Sequence, residues 1–256
     1  MSTPLSSEEA LRYHRQMVLP EIGEKGQGRL KRAFVFLAGL GGLGSVSALY
    51  LTAAGVGRLR GVDKDRVEWG NLNRQLLHFT EDVGGIKAES AGNKLRSLNP
   101  RCRIEAIHET LTMENGEELV GDADLIVDGT DNVETRRILN RVSLNKGIPY
   151  VFGGVDGLTG MVTTFIPGKT PCFECLFPDD RFPKAPPGVL GPLPGIIGSI
   201  QALVAIKFLL GLPHGLLESR LLYVDGAALS FRTIEMGRNN KCRVCGGLVD
   251  NGETVS

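Results

Sequence analysis

Three groups of residues in this chain have the types and spacing to do chemistry. The first is GLGGLG at 39–44. Small residues there let backbone N–H groups approach a phosphate, and a helix opening directly after them adds a favourable dipole. Asp63 follows at the spacing where a carboxylate takes ribose hydroxyls. Alone, Gly39, Gly41, Gly42 and Asp63 indicate a nucleotide, with NAD as the default and a tight structural turn as the bland alternative. The second group is Asn71, Arg74, Gln75 and Lys87, together with Asp131 and Asn132 of DGTDN at 128–132. Arginine, lysine and aspartate around a triphosphate suit phosphoryl or nucleotidyl transfer. The cations stabilise phosphate charge, and the carboxylate holds Mg²⁺. Hydride transfer needs no such cluster, although each charge taken singly reads equally well as a solvated surface residue. The third group is Cys172-x-x-Cys175 with Cys242-x-x-Cys245, two pairs with knuckle spacing. Four thiolates make a closed tetrahedral Zn²⁺ site, which is structural because no position is open. Two redox dithiols are the rival reading, disfavoured because neither pair opens a helix in a thioredoxin-like context.

These residues need a frame, and the first half of the chain provides one. Ala33 to Ala38 reads as a buried strand before the glycine turn, and Ser45 to Ala54 as the helix after it. Arg58 to Val62, Arg103 to Ile107, Ala123 to Val127 and Pro149 to Phe152 read as further strands. Ile86 to Leu98 and Val133 to Lys146 read as helices between them. This alternation implies a parallel sheet with right-handed crossovers. Asp63, Asp131 and Asn132 then fall at carboxyl ends of strands, where open α/β sheets bind ligands. Past a boundary near residue 155 the pattern changes. Met161 to Ile166 looks antiparallel, and two short strands are expected around Leu221–Val224 and Leu229–Ile234. Pro178 to Pro194 holds six prolines and reads as a loop.

Bulk properties remove some functions. The 256 residues carry 29 basic and 29 acidic side chains, so no net charge draws the chain to nucleic acid or an anionic membrane. The start, MSTPLSSEEALRYHRQ, lacks the apolar core of a signal peptide. Ile196 to Leu212 is the most apolar stretch, and Gln201 and Lys207 within it favour a buried helix over a membrane span. A cytoplasmic location is expected, and there paired cysteines favour metal over disulfides.

RYHRQ at 12–16, GLGGLGS at 39–45, GNLNRQ at 70–75, GIK at 85–87, DGTDN at 128–132 and the paired C-x-x-C together resemble the ThiF/MoeB/HesA family, bacterial relatives of ubiquitin-activating enzymes. The resemblance runs from about residue 11 to residue 246. It implies an α/β fold: a Rossmann-like, mostly parallel sheet extended by antiparallel strands, with a four-cysteine zinc knuckle. One adenylyltransferase domain would occupy 1–256, with a nucleotide-binding half at 11–154, a zinc-clipped carrier-binding half at 155–246 and a tail at 247–256. Gly42 would contact the phosphate region and Asp63 the ribose. Asn71, Arg74 and Lys87 would contact the triphosphate, and Asp131 would bind Mg²⁺. Arg15 resembles an arginine that reaches into the neighbouring subunit's site, which implies a homodimer. A family serine stands before Asn-Leu, and here Gly70 replaces it, which keeps a backbone contact and loses a hydroxyl.

The family's substrate is a small β-grasp sulfur-carrier protein ending in Gly-Gly, whose terminal carboxylate attacks the α-phosphate of ATP and expels pyrophosphate. That nucleophile is already ionised at neutral pH, so no general base is required. His14, His78, His108 and His214 accordingly receive no catalytic role. Some members carry a loop cysteine that links covalently to the carrier. No cysteine lies between Cys175 and Cys242, and Cys102 reads as a packed residue. The expected reaction stops at the acyl-adenylate, with sulfur coming from a separate donor. No rhodanese cysteine is expected after Cys245. Adenylylation of another carboxylate, such as a peptide C-terminus or a modified tRNA base, is the second reading. An NAD oxidoreductase and a non-catalytic subunit are weaker still.

Overall fold

The computed structural model describes residues 5–178 and 188–246. Three short helices open it: α1 (Ser7–Arg12), α2 (His14–Met17) and α3 (Gly23–Arg32). The first half continues as β1 (Phe34–Ala38), α4 (Gly42–Ala53), β2 (Arg58–Val62), α5 (Lys87–Leu98), β3 (Arg103–Ile107), α6 (Gly116–Val120), β4 (Leu125–Asp128) and α7 (Val133–Lys146). The second half holds β5 (Tyr150–Asp156), β6 (Thr159–Phe165), α8 (Phe173–Leu176), α9 (Pro192–Leu210), β7 (Arg220–Asp225) and β8 (Ser230–Glu235).

All eight strands join one sheet in the order β3-β2-β1-β4-β5-β6-β7-β8. From β3 to β5 the pairing is parallel, and from β5 to β8 it is antiparallel. The change near residue 155 is therefore a hairpin within a continuous sheet. Strands β1 and β4 are buried along their whole length, as a central parallel strand covered on both faces must be. Alternate side chains divide between two cores. Val35, Leu37, Leu125 and Val127 face the side of α4, α5 and α9, while Phe34, Phe36, Ile126 and Tyr150 face the side of α6 and α7.

Several elements depart from the expected bounds. Helix α4 starts at Gly42, three residues before the expected Ser45, so its first turn lies inside the glycine motif. The expected loop Pro178 to Pro194 is shorter at its far end, because α9 already begins at Pro192. Prolines 192 and 194 fit its first turn, where a missing N–H sacrifices no intrahelical bond. Residues 179–187 of that loop lie outside the described residues.

Helix α9 is long and apolar enough to cross a membrane by length and composition. It instead lies against the sheet and α4. An added Cβ on Gly198 would come within 2.6 Å of the Leu43 carbonyl, so α4 and α9 approach almost backbone to backbone. The Gln201 amide donates to the Asp128 carbonyl at 2.7 Å, which joins α9 to the end of β4.

Candidate active site

The sheet's order changes direction between β1 and β4, and at that switch point a cleft of about 1190 Å³ opens over the strands' carboxyl ends. Its floor is the glycine turn. Gly39 sits at φ +82°, and a Cβ there would stand 2.7 Å from the Gly129 carbonyl oxygen. A Cβ on Gly44 would meet the Gly39 oxygen at 1.9 Å, so no side chain fits. Gly41 and Gly42 then open α4 facing the cleft, where the first turn leaves N–H groups without intrahelical partners.

Of the residues expected at the site, the cleft wall includes Gly39, Gly41, Gly42, Asp63, Arg74, Gln75, Lys87, Asp131 and Asn132. Asp63 follows β2 and is 8% exposed. Its Oδ2 accepts from the Leu40 N–H at 2.8 Å and its Oδ1 from the Asp65 N–H at 2.8 Å. Each oxygen retains a lone pair, so the carboxylate can hold the turn and still accept ribose hydroxyls. Lys87, the first residue of α5, is 5% exposed and its ammonium lies 3.2 Å from Asp65 Oδ2. The sequence reading missed Asp65, which holds that ammonium at the cleft's edge. Arg74 donates to the Gly70 carbonyl at 2.8 Å and to Asn73 Oδ1 at 2.9 Å. Gln75 is buried with its Oε1 unpartnered, an orphaned acceptor in the wall of the cleft. A hydroxyl of a bound nucleotide or a water would satisfy it.

Asp131 is exposed on the loop after β4. Asn132 also lines the cleft, but its Oδ1 caps α7 by accepting from the Thr135 N–H at 2.9 Å. Two expected residues do not join the cleft wall of a single chain. Asn71 Oδ1 accepts from the Glu68 N–H at 3.1 Å, closing a 3-10 turn outside the wall. Arg15 is exposed on α2, also away from the cleft.

The loop carrying Asp131 is fixed by a buried network that sequence spacing did not reveal. Asp128 is fully buried and accepts from the Thr130 N–H at 2.8 Å, the Thr130 hydroxyl at 2.6 Å and the Tyr150 hydroxyl at 2.8 Å. Burial, with Asp128 beside it, pushes the Tyr150 phenol well above its usual acidity range, so it stays a donor. The Arg136 guanidinium lies 3.3 Å from the same carboxylate. It also donates to the carbonyls of Thr130 and Gly153, at 2.8 and 3.1 Å. Arg136 lines the cleft as well.

The four paired cysteines meet on the far side of α7. Their sulfurs all lie within 4.8 Å of one another, with Cys172–Cys242 at 3.8 Å, Cys175–Cys245 at 3.4 Å and Cys172–Cys175 at 3.9 Å. Thiolates about 2.3 Å from a tetrahedral metal stand roughly 3.8 Å apart, so the cluster fits a four-thiolate metal site. Burial pushes the Cys172 thiol up and the Cys245 thiol up to about 11, while, against its own burial, backbone N–H groups of Cys245 and Val244 bring Cys242 down to about 7. Glu174, between the first pair, joins the knuckle to α7 through Arg137 at 2.7 Å and to the second pair through Arg243 at 3.1 Å. Cys102 lies elsewhere, buried behind α4 and β2, and burial pushes its thiol up to about 12.

Residues 13–244 match the ThiF family. The chain belongs to the ThiF family. It is accordingly an adenylyltransferase. The sulfur carrier protein adenylyltransferase of Thermus thermophilus is 46% identical over 260 residues, covering 98% of this chain and 96% of that protein. The SAMP-activating enzyme E1 of Haloferax volcanii is 42% identical and covers 100% and 96% respectively. The adenylyltransferase and sulfurtransferase MOCS3 of Culex quinquefasciatus is 42% identical over 249 residues, and this ThiF chain spans 57% of its length. Among solved structures, E. coli MccB with ATP superposes with a TM-score of 0.81 at 25% identity, over 94% of this chain and 75% of that one.

Proposed function

We propose that this ThiF chain adenylylates the C-terminal glycine carboxylate of a small β-grasp sulfur-carrier protein ending in Gly-Gly, using ATP and releasing pyrophosphate. The observation that carries the reading is the convergence of Arg74, Lys87 and Asp131 on the cleft over the glycine turn. The names of the Thermus and Haloferax relatives, which match almost end to end, point to the same class of substrate.

In this reading the triphosphate lies over Gly41 and Gly42, where N–H groups at the start of α4 meet negative charge. Asp63 accepts the ribose hydroxyls. The carrier's carboxylate attacks the α-phosphorus in line, and the bond to the pyrophosphate oxygen breaks. Lys87 and Arg74 stabilise charge on the phosphates as it shifts toward the leaving group. Asp131 would hold Mg²⁺, which neutralises phosphate charge when bound. Since the nucleophile arrives ionised, the work is alignment and charge stabilisation.

Zn²⁺ fills the four-cysteine site and clips the C-terminal segment to α8. No cysteine between Cys175 and Cys242 is available for a covalent enzyme–carrier link, so the product is the acyl-adenylate and a separate donor supplies sulfur. The enzyme works as a cytoplasmic homodimer, with Arg15 completing the partner's cleft, in molybdopterin, thiamine or related cofactor synthesis.

Mass spectrometry of a Gly-Gly carrier incubated with the enzyme and Mg·ATP tests the proposal. The expected result is an AMP adduct on the carrier and no enzyme–carrier thioester. A thioester on Cys102, or adenylylation of a free amino acid in place of the carrier, would overturn it.

A further inference from the structure

One buried side chain ties together the three segments that bring Gly41 and Gly42, Arg74 and Lys87 to the cleft. His78 is 3% exposed and belongs to the segment that carries Arg74 and Gln75. Its own N–H donates to the Gln75 carbonyl at 3.0 Å. Its ring Nε2 lies 3.0 Å from the Leu40 carbonyl, inside the glycine turn. Its Nδ1 lies 2.9 Å from Ser90 Oγ on α5, one helical turn beyond Lys87.

The partners decide the tautomer. A carbonyl only accepts, so Nε2 carries the hydrogen. Nδ1 is then a bare acceptor and takes the Ser90 hydroxyl hydrogen. That hydroxyl in turn accepts from the Lys94 ammonium at 2.9 Å, and Lys94 pairs with Asp82. The charged groups around the ring are Lys87 and Lys94 from α5 and Asp63 after β2. Burial acts first, and with the two lysines it holds the imidazole below its usual range, against the Leu40 carbonyl and Asp63.

Leu40 is thereby held from both sides. Its N–H goes to Asp63 and its carbonyl to His78, with the Ser45 hydroxyl at 3.2 Å as a second donor to that carbonyl. The residues on either side of Leu40 in the turn have no side chain with which to anchor themselves. The ring therefore links the phosphate-facing backbone to α5, which carries Lys87, beside the separate link made through Asp63 and Asp65.

We propose that His78 is a positioning residue for nucleotide binding, fixing the distance between the turn at Gly41–Gly42 and Lys87 through its Nε2–H to Leu40 and its Nδ1 to Ser90. The proposal rests on the reading of the cleft as an ATP site. It distinguishes two amide replacements by geometry. Glutamine reaches where Nε2 stands and can still donate to Leu40, whereas asparagine reaches only where Nδ1 stands.

The test is titration of His78→Gln, His78→Asn and Ser90→Ala with a non-hydrolysable ATP analogue, alongside KM for the carrier and the thermal midpoint. His78→Asn is expected to raise the ATP-analogue Kd about tenfold, the loss of one buried hydrogen bond, and His78→Gln no more than about threefold. Carrier KM stays at the wild-type value in both, while the thermal midpoint falls further in His78→Asn, which loses the buried donor to the Leu40 carbonyl, than in His78→Gln. Ser90→Ala, which keeps the ring and loosens its orientation, is expected to raise Kd about threefold and covers the case of an Asn variant that does not fold. Equal Kd values across the Gln, Asn and wild-type proteins overturn the inference, as does an unchanged Kd in Ser90→Ala. Parallel losses in ATP affinity, carrier KM and midpoint assign His78 to general stability and also overturn it. A wild-type protein that binds no ATP analogue overturns the nucleotide reading itself.

Discussion

Replacing Asp128 with asparagine removes one charge from the buried network beneath the Asp131 loop while keeping its shape. The carboxylate is 0% exposed and serves three donors, with the Arg136 guanidinium, itself 12% exposed in its side chain, at 3.3 Å. An asparagine oxygen can still accept from Thr130 N–H and hydroxyl. The amide NH₂ then faces Tyr150, whose fully buried hydroxyl loses its acceptor. One hydrogen bond to a charged acceptor is worth about 1.5–3 kcal/mol. Removing one partner of a buried ion pair costs about 3–5 kcal/mol, because the remaining charge stays desolvated. These effects overlap, and Arg136 keeps its bonds to the Thr130 and Gly153 carbonyls, so a total near 3 kcal/mol is expected. Urea unfolding followed by fluorescence and circular dichroism measures it. Arg136→Met added to Asp128→Asn removes the stranded charge, so the double variant should lose at least about 1 kcal/mol less than the sum of the singles. A loss below about 1 kcal/mol for Asp128→Asn, or strict additivity of the pair, would refute this account of the network.

Thiol labelling separates the five cysteines. With metal bound, the native protein should react slowly at every cysteine; a chelator should expose Cys172, Cys175, Cys242 and Cys245, while Cys102 reacts only on unfolding. Fast labelling of Cys102 in the folded state, or no change with chelator, would contradict the packing described. Stability should also fall on mild acidification through His78. Its folded pKa is lowered, chiefly by burial, so the unfolded chain binds the proton more readily. The contribution is complete above about pH 6.5, the ordinary histidine value, and is lost as pH drops through the folded value. Glu9, Asp82 and Glu105 have folded values below the ordinary carboxylate range, and their contributions fade at lower pH. Denaturant midpoints between pH 7 and pH 5 should therefore fall in the wild type and stay flatter in His78→Gln; equal slopes would contradict the buried neutral ring.

What could be read from the sequence was what depends on neighbours along the chain. The apolar runs 33–38 and 123–127 read as buried strands, and GLGGLG as a turn, in which Gly39 and Gly44 leave no room for a Cβ. A carboxyl-terminal position on a parallel strand then placed Asp63 and Asp131 at one cleft without knowledge of any contact. Much of what escaped was set by residues distant in sequence. Asp128 entered only as the first residue of DGTDN at the end of a strand, and Tyr150 and Arg136 make it a buried anchor. His78 received no role from the sequence, and Leu40 and Ser90 show what it holds. Helix α3 had no apolar stripe to announce it. Its buried face uses Gly26 and Gly28 with Leu30, and a Cβ on Gly26 would press on Leu210 of α9 at 3.0 Å. Asn71, adjacent in the motif to residues of the wall, turned outward because its side chain closes a local turn on Glu68.

ATP–pyrophosphate exchange tests the central claim most directly, since it reads the reversible formation of the acyl-adenylate and nothing downstream. The account predicts exchange that requires both Mg²⁺ and a carrier ending in Gly-Gly, and that is lost in Asp131→Ala. Exchange that persists in Asp131→Ala, or that proceeds with no carrier present, would contradict it.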